Sequence, residues 1–188
     1  MARKSRLLGI AASLTAAGLA LTACSGQPGA AAVVDGQRIS ENDVAQTVEI
    51  WQPLLQDRLS PAAMLAPMIQ APVLLDVAAE HGIGASLDDA TQYLNDRAEQ
   101  AQVTPPEEYP DGALEVARMQ IVVEMLNSGS VDPQQISADL TERLGELEVE
   151  LSPRYGEWDP EAAGGAFIAP TTPEWILAPA DETEQPLG

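Results

Sequence analysis

The chain has 188 residues, enough for one domain of ordinary size with flanking segments, and carries a net charge of −20. All 29 acidic residues follow position 23, where six arginines and no lysine accompany them, which leaves a net charge of −23 there. This charge excludes nucleic acid as a partner, because binding to phosphates needs clustered cations. The missing lysine excludes a Gly-x-x-x-x-Gly-Lys phosphate loop, and with it ATP-driven action of that type.

Residues 1–23 have the pattern of a bacterial secretion signal. A basic start precedes an apolar run over residues 7–21, which at about 15 residues is shorter than the roughly 20 that span a bilayer. The small residues before Cys24 resemble a lipobox, where cleavage leaves a diacylated, palmitate-bearing cysteine. We therefore predict a lipoprotein on the extracytoplasmic face of the cell membrane, held only through the lipid on Cys24, with residues 24–31 as its tether.

A short β-hairpin is predicted next, within residues 31–40 (AAVVDGQRIS). Asp35 and Gly36 favour a two-residue type I′ turn, which needs a positive φ angle at both central positions. That loop length fixes the register, which places Val34 opposite Gln37 and Ala32 opposite Ile39.

The first helix is predicted to begin after Ser40 and to end near Asp57. Ser40 and Asp43 have the spacing of a capping box. Apolar residues then recur at helical spacing, as expected for a helix with one buried face, at Val44, Val48, Trp51 and Leu55.

The second helix is predicted from Pro61, capped by Ser60, to the turn at His81 and Gly82. It is apolar nearly all round, which indicates a buried position. Two internal prolines predict a kink or a break in it, because proline lacks the N–H that the helix needs; these are Pro67 and Pro72.

Three further helices and a strand complete the predicted domain. Ser86 with Asp89 caps a helix over residues 87–101, and two more are expected over residues 111–127 and 133–145. Residues 147–151 (LEVEL) alternate strictly between apolar and acidic, which is typical of a strand with one buried face. We expect this strand to join the hairpin, and residues 161–188 to form an irregular tail.

Residues 32–160 are thus predicted to form a mainly α fold, a bundle of about five helices closed by a small antiparallel sheet. AAVVDGQRIS followed by a capped helix is similar to the start of the mature SurA and PrsA foldases, and HGIGASLDDA resembles their next segment. SPRYGEWDP, with Tyr155 and Trp158, resembles the stretch after the returning strand in actinobacterial members. Related foldases insert a parvulin prolyl isomerase domain before that strand, whereas here Gly145 and Leu147 leave no room for one.

The resemblance implies a chaperone-like protein that binds unfolded or exported polypeptides. The missing phosphate loop, metal ligands and parvulin domain predict that it acts without ATP, cofactor, metal or enzymatic activity. Adaptable methionine-containing surfaces suit varied clients. The candidate lining residues, each of which could instead be a plain core position, are Met64, Leu65, Met68, Ile69, Ile121 and Met125. The alternative function is a lipoprotein scaffold or accessory subunit with one specific envelope protein as its partner.

Other residues with chemical potential are assigned structural roles. His81 is the only histidine, so with a lipidated Cys24 the chain lacks the ligands of a zinc site. The acidic pairs Asp88-Asp89 and Glu107-Glu108 are expected to be solvated or to cap a helix. For Tyr155 and Trp158 a ligand site is the alternative, and packing against the hairpin and the helices is the favoured interpretation.

Overall fold

The computed structural model describes residues 28–55, 57–129, 133–160 and 167–169. Within these residues lie five α-helices and a three-stranded antiparallel sheet, which confirms the predicted mainly α fold. The secretion signal, Cys24, most of the tether and most of the tail lie outside the described residues, so lipid attachment stays a prediction.

The hairpin consists of β1 (Ala30–Val34) and β2 (Gln37–Ser40). The φ angles of the two turn residues are 48° and 78°, both positive as a type I′ turn requires, and the predicted register is confirmed. Ala30 and Ala31 were assigned to the tether, and this boundary is wrong because both are buried in the sheet, with exposed fractions of 9% and 0%.

The returning strand β3 (Val149–Leu151) pairs antiparallel with β1, on the side away from β2. Val149 lies opposite Val34, and Leu151 opposite Ala32. The predicted alternation is confirmed, since the apolar residues are half-buried and the glutamates between them are exposed. Two residues separate β3 from the preceding helix α5 (Pro133–Glu146), so the chain has no inserted domain at this junction.

Helix α1 (Glu41–Trp51) begins with the predicted capping box and is followed by a short 3₁₀ turn (Gln52–Leu54). The predicted extension to Asp57 is wrong. Pro53 has no N–H to donate to the preceding turn, so the α-helical pattern ends before it. Leu55, placed in the buried stripe from sequence, is 38% exposed as a result.

Helix α2 (Pro61–Glu80) is the central helix and packs on α1, α5 and β1. It runs unbroken through Pro67 and Pro72, so the predicted break is wrong. Ten of its side chains are buried, and their burial outweighs a cost of about 3 kcal/mol for each interior proline. Its length and hydropathy would suit a membrane span, but 56% of that segment is buried inside the domain, the pattern of a core helix.

Helices α3 (Leu87–Ala101) and α4 (Asp111–Asn127) have the predicted bounds. Ser86 and Asp89 form the predicted capping box, and hydrogen bonds from Ser86 lower the pKa of the Asp89 carboxyl. Helix α4 packs on α1, α2 and α3, and its buried residues Val116, Ala117 and Val122 complete the core.

Part of the predicted irregular tail is ordered against the domain. β4 (Glu157–Trp158) pairs with β5 (Ile168–Ala169), and the Phe167 ring stacks on Trp158 with 5.6 Å between the ring centroids. The prediction of no regular element after residue 160 is therefore wrong at residues 168–169. A pair of two-residue strands is too short for a periodic signal.

Candidate functional site

A groove lies between the hairpin and the helical body, and we call it the acidic groove. It consists of two adjoining cavities of about 760 and 570 Å³. Both cavities have Ile39, Met68 and Glu115 in their walls, so they lie next to each other. The volume of each cavity lies within the range of protein clefts that bind ligands.

The larger cavity lies between α1, β2 and the segment that leads into α4. Its walls include Glu49 and Ile50 from α1 and Pro106 and Tyr109 from the α3–α4 loop. Tyr109 is buried and its hydroxyl donates to Oδ1 of Asn95 at 3.0 Å, which anchors this loop to α3. The loop wall is therefore held in place although it carries no regular secondary structure.

The smaller cavity lies between the hairpin, α2 and the end of α5, and it is the more apolar part of the groove. Ile69 and Val73 of α2 and Leu147 form its apolar surface, with Asp76 at the same wall. Ile69 is 2% exposed, whereas Val73 is half-buried and open to a ligand.

Acidic side chains dominate the groove's electrostatics. Its walls contain two arginines and eight acidic residues, which are Asp35, Asp43, Glu49, Asp76, Glu108, Asp111, Glu115 and Glu146. One of the arginines, Arg143, is committed to Glu80, to which it donates two hydrogen bonds of 2.6 and 2.7 Å. The described part of the chain contains three ion pairs, and the acidic member of each lies outside the groove walls. None of these pairs therefore neutralises a groove carboxylate.

Glu115 occupies the junction of the two cavities on α4. Partial burial raises the pKa of its carboxyl, the nearby Asp111 raises it further, and Arg118 lowers it. Arg118 forms no ion pair with it among the described residues, and its Nε donates to the carbonyl of Ala85 at 2.7 Å. Glu115 is thus a partly desolvated carboxylate at the centre of the groove, poised to gain from a cation.

Gly112 sets how closely α4 approaches the other two helices at the groove. A Cβ atom at this position would lie 2.6 Å from Oγ1 of Thr47 and 2.8 Å from Cε of Met68. Thr47 is fully buried, and its hydroxyl has no hydrogen-bond partner among the described residues. The absence of a side chain at Gly112 therefore leaves room for Met68 in the groove wall.

The six residues predicted from sequence to line a client site do not come together in one surface. Met64 and Leu65 are 3% and 0% exposed, so they are core residues and offer no surface to a client. Met68 and Ile69, although largely buried, do line the acidic groove. On α4, Ile121 is half-buried and Met125 is 39% exposed, and neither is part of the groove walls.

The residues of the SPRYG segment connect the two ends of the domain. Arg154 Nη1 donates to Oε2 of Glu41 at 2.6 Å, which links this segment to the first turn of α1. Tyr155 is buried with the core, and burial raises the pKa of its hydroxyl. Trp158 packs against the core and on Phe167. These contacts support the structural interpretation of both aromatic residues.

His81 lies at the end of α2, with Nε2 at 3.0 Å from Oδ2 of Asp139 on α5. It therefore connects two helices. Among the residues that the structure describes, no group of three histidine, cysteine or acidic side chains is placed to hold a metal ion.

Most of the residues that line the groove were not predicted as site residues from the sequence, including Ile39, Val73 and Glu115. The groove joins elements that are far apart in the chain, and periodicity within one helix says nothing about such a junction. One signal was present: Glu115 is a lone acid inside the apolar run that surrounds it on α4. A charge at such a position is costly unless it has a role.

No protein-family model, no curated protein and no solved structure matches this chain. Its function is therefore inferred from the fold and from the acidic groove.

Proposed function

We propose that this chain is a membrane-tethered, extracytoplasmic lipoprotein that binds unfolded or exported polypeptides without ATP and without prolyl isomerase activity. Three features support it: the predicted secretion signal over residues 1–23 before Cys24, the sheet formed by both ends of the domain, and the direct junction of α5 and β3. The last feature leaves no room at this junction for the catalytic domain of the SurA-like foldases that the sequence resembles.

The observation that carries the proposal is the apolar surface inside the acidic groove. Val73 and Ile39 are half-buried and lie in the groove wall, beside the largely buried Met68. An unfolded polypeptide exposes apolar side chains, and each one that enters this surface loses contact with water at about 25 cal/mol per Å². Such binding is reversible and depends on exposed apolar side chains rather than on one particular client, as a chaperone requires.

The acidic charge of the domain supports the same function. A client held at the groove is attached to a body of high negative charge, and like charge keeps two such complexes apart. The lipid anchor would place this activity at the membrane surface, where exported chains emerge unfolded.

Suppression of aggregation tests the proposal. We expect the whole chain, purified in a non-ionic detergent, to reduce light scattering by a denatured reporter enzyme at a several-fold molar excess. Unchanged scattering at that excess would refute general chaperoning.

Val73→Gln is the informative variant, since it makes the groove wall polar at a residue that is not packed on the core. Its matched control is Val103→Gln, because Val103 is also half-buried and outside the core, but lies away from the groove. We expect the first variant to lose much of the suppression and the second to keep it.

The second candidate function is a scaffold or accessory subunit with one envelope protein partner. The fixed shape of the groove favours it, because Met68 and Ile69 are held in the core and the loop wall is anchored through Tyr109. Promiscuous binders generally use more mobile surfaces. Crosslinking in cells followed by mass spectrometry separates the two functions: many captured proteins indicate a chaperone, and one stoichiometric protein indicates a scaffold.

A further inference from the structure

We propose that the acidic groove selects polypeptide segments in which arginine or lysine residues alternate with bulky apolar residues. This inference rests on the proposed function and specifies the chemistry of the client. It is drawn from the charges and the apolar surface that meet in the acidic groove.

Charge complementarity is the first argument. Eight carboxylates in the groove walls face two arginines, and Arg143 is already paired with Glu80. The chain's own cations offset this charge only in part: Arg118 acts on Glu115 and Arg143 acts on Asp76, but neither forms an ion pair with a groove carboxylate among the described residues. Arg97 lies over the Tyr93 ring, Arg118 binds the Ala85 carbonyl and Arg154 pairs with Glu41.

The position of Glu115 is the second argument. It lies at the junction of the two cavities, so a cation bound there is within the groove and not at its rim. Partial burial weakens the hydration of this carboxylate, and an incoming guanidinium or ammonium group would restore a favourable partner. A neutral or acidic segment would leave the carboxylate desolvated without compensation.

The apolar surface is the third argument, and it excludes a purely ionic ligand. Val73, Ile69 and Leu147 line the same cavity as Asp76, so apolar and acidic groups are available to one ligand. Small cations such as polyamines would use only the acids. A segment with both kinds of side chain would use the whole surface.

Peptides of about a dozen residues test the inference. One alternates arginine with leucine, a second alternates glutamate with leucine, and a third alternates arginine with serine. Titration of each into the whole chain in a non-ionic detergent should give the highest affinity for the arginine–leucine peptide. That affinity should fall as the salt concentration rises from about 0.1 M to about 1 M, because salt screens exposed charges.

Variants localise the binding. Glu115→Gln and Asp76→Asn should each weaken the arginine–leucine peptide about twofold to fivefold, the range expected for one partly exposed ion pair. Glu99→Gln and Asp96→Asn remove the same charges from exposed positions on α3, and should leave the affinity unchanged. Equal affinity for the arginine–leucine and glutamate–leucine peptides, or equal effects of groove and control variants, would overturn the inference.

The outcome is distinguishable from the fate of the proposed function. If aggregation is suppressed while peptides bind regardless of charge, chaperoning stands and the selectivity is wrong. If the basic apolar peptide binds at the groove without suppression of aggregation, the selectivity stands and general chaperoning is wrong.

Discussion

Asp35 and Glu148 are 113 residues apart in sequence and are joined by two hydrogen bonds of 2.9 Å. The backbone N–H of Asp35 donates to the carbonyl of Glu148, and the N–H of Glu148 donates to Oδ1 of Asp35. The same aspartate therefore forms the hairpin turn and holds the start of the returning strand. Asp35 thus contributes to closure of the domain as well as to the turn, and only its role in the turn could be predicted from the local sequence.

Replacing Asp35 with alanine should destabilise the domain by about 1 to 2 kcal/mol. The change removes the acceptor for Glu148 and places alanine at a φ angle of 48°, which non-glycine residues other than Asn and Asp rarely adopt. Urea denaturation followed by circular dichroism measures the free energy of unfolding.

Asp35→Asn is the matched control. Asparagine tolerates the left-handed conformation and keeps a side-chain oxygen that can accept from Glu148. We expect its stability to stay close to that of the native chain. A loss in Asp35→Asn as large as in Asp35→Ala would show that the negative charge, and not this hydrogen bond, is what matters.

The parts of the fold that could be predicted are those with local signals. Asp35-Gly36 specified the hairpin and its register, and Ser40 and Ser86 specified helix starts, because each effect acts within a few residues. The predicted length of α1 is wrong because Pro53 ends the α-helical pattern, although apolar residues continue beyond it at helical spacing. The predicted break in α2 is wrong for the opposite reason, because burial holds the helix together across its two internal prolines.

Val149→Asp tests the pairing of the returning strand. Val149 lies opposite Val34 on the half-buried side of the sheet, and a carboxylate there would lose hydration without gaining a partner. We expect a loss of about 2 kcal/mol or more in the free energy of unfolding, seen as a lower thermal midpoint. An unchanged midpoint would contradict the strand assignment.

Glu148→Gln controls for the change of charge in the same segment. Glu148 is exposed and takes part in the closure through its backbone, so its side chain should be replaceable. Surface substitutions of this kind usually change stability by less than about 0.5 kcal/mol.

Gly156→Ala should release the ordered part of the tail. Gly156 has a φ angle of 119°, and a Cβ atom there would overlap the carbonyl oxygen of Ala169. Because that oxygen belongs to the backbone of β5, the strand has to move away. We expect a destabilisation of about 1 to 3 kcal/mol and faster chymotrypsin cleavage after Phe167, identified by mass spectrometry.

The matched control is Gly145→Ala in α5. A Cβ atom at Gly145 would meet no heavy atom within 4 Å, and alanine favours the helix by up to about 1 kcal/mol. This variant should be as stable as the native chain or more so, with unchanged cleavage after Phe167. Equal cleavage rates in the two variants would mean that Gly156 does not hold the tail segment in place.

The groove could not be predicted because its walls come from four separate parts of the chain, residues 34–50, 68–76, 106–115 and 143–147. Ile39 belongs to the hairpin, Met68 to α2 and Glu115 to α4, and only tertiary packing places them side by side. Met68 and Ile69 were predicted because they are apolar residues of α2. The same criterion selected Met64 and Leu65, since hydrophobicity alone does not separate the core side of a buried helix from the side that borders a groove.

Glu115→Gln should make the free domain more stable at neutral pH, in contrast to its effect on peptide binding. Partial burial raises the pKa of Glu115 in the folded state, so ionisation of this carboxyl opposes folding. The contribution of this carboxyl to the free energy of unfolding is therefore most favourable below its unfolded-state pKa of about 4.3. That contribution is lost as the pH rises through the higher folded-state pKa. Glutamine stays neutral, so the stability gain of the variant should be largest at neutral pH and should shrink towards pH 4.

Urea denaturation across this pH range measures the stability gain, with Glu99→Gln as the exposed control. A gain that does not depend on pH would mean that improved packing, and not removal of the desolvated charge, is its cause.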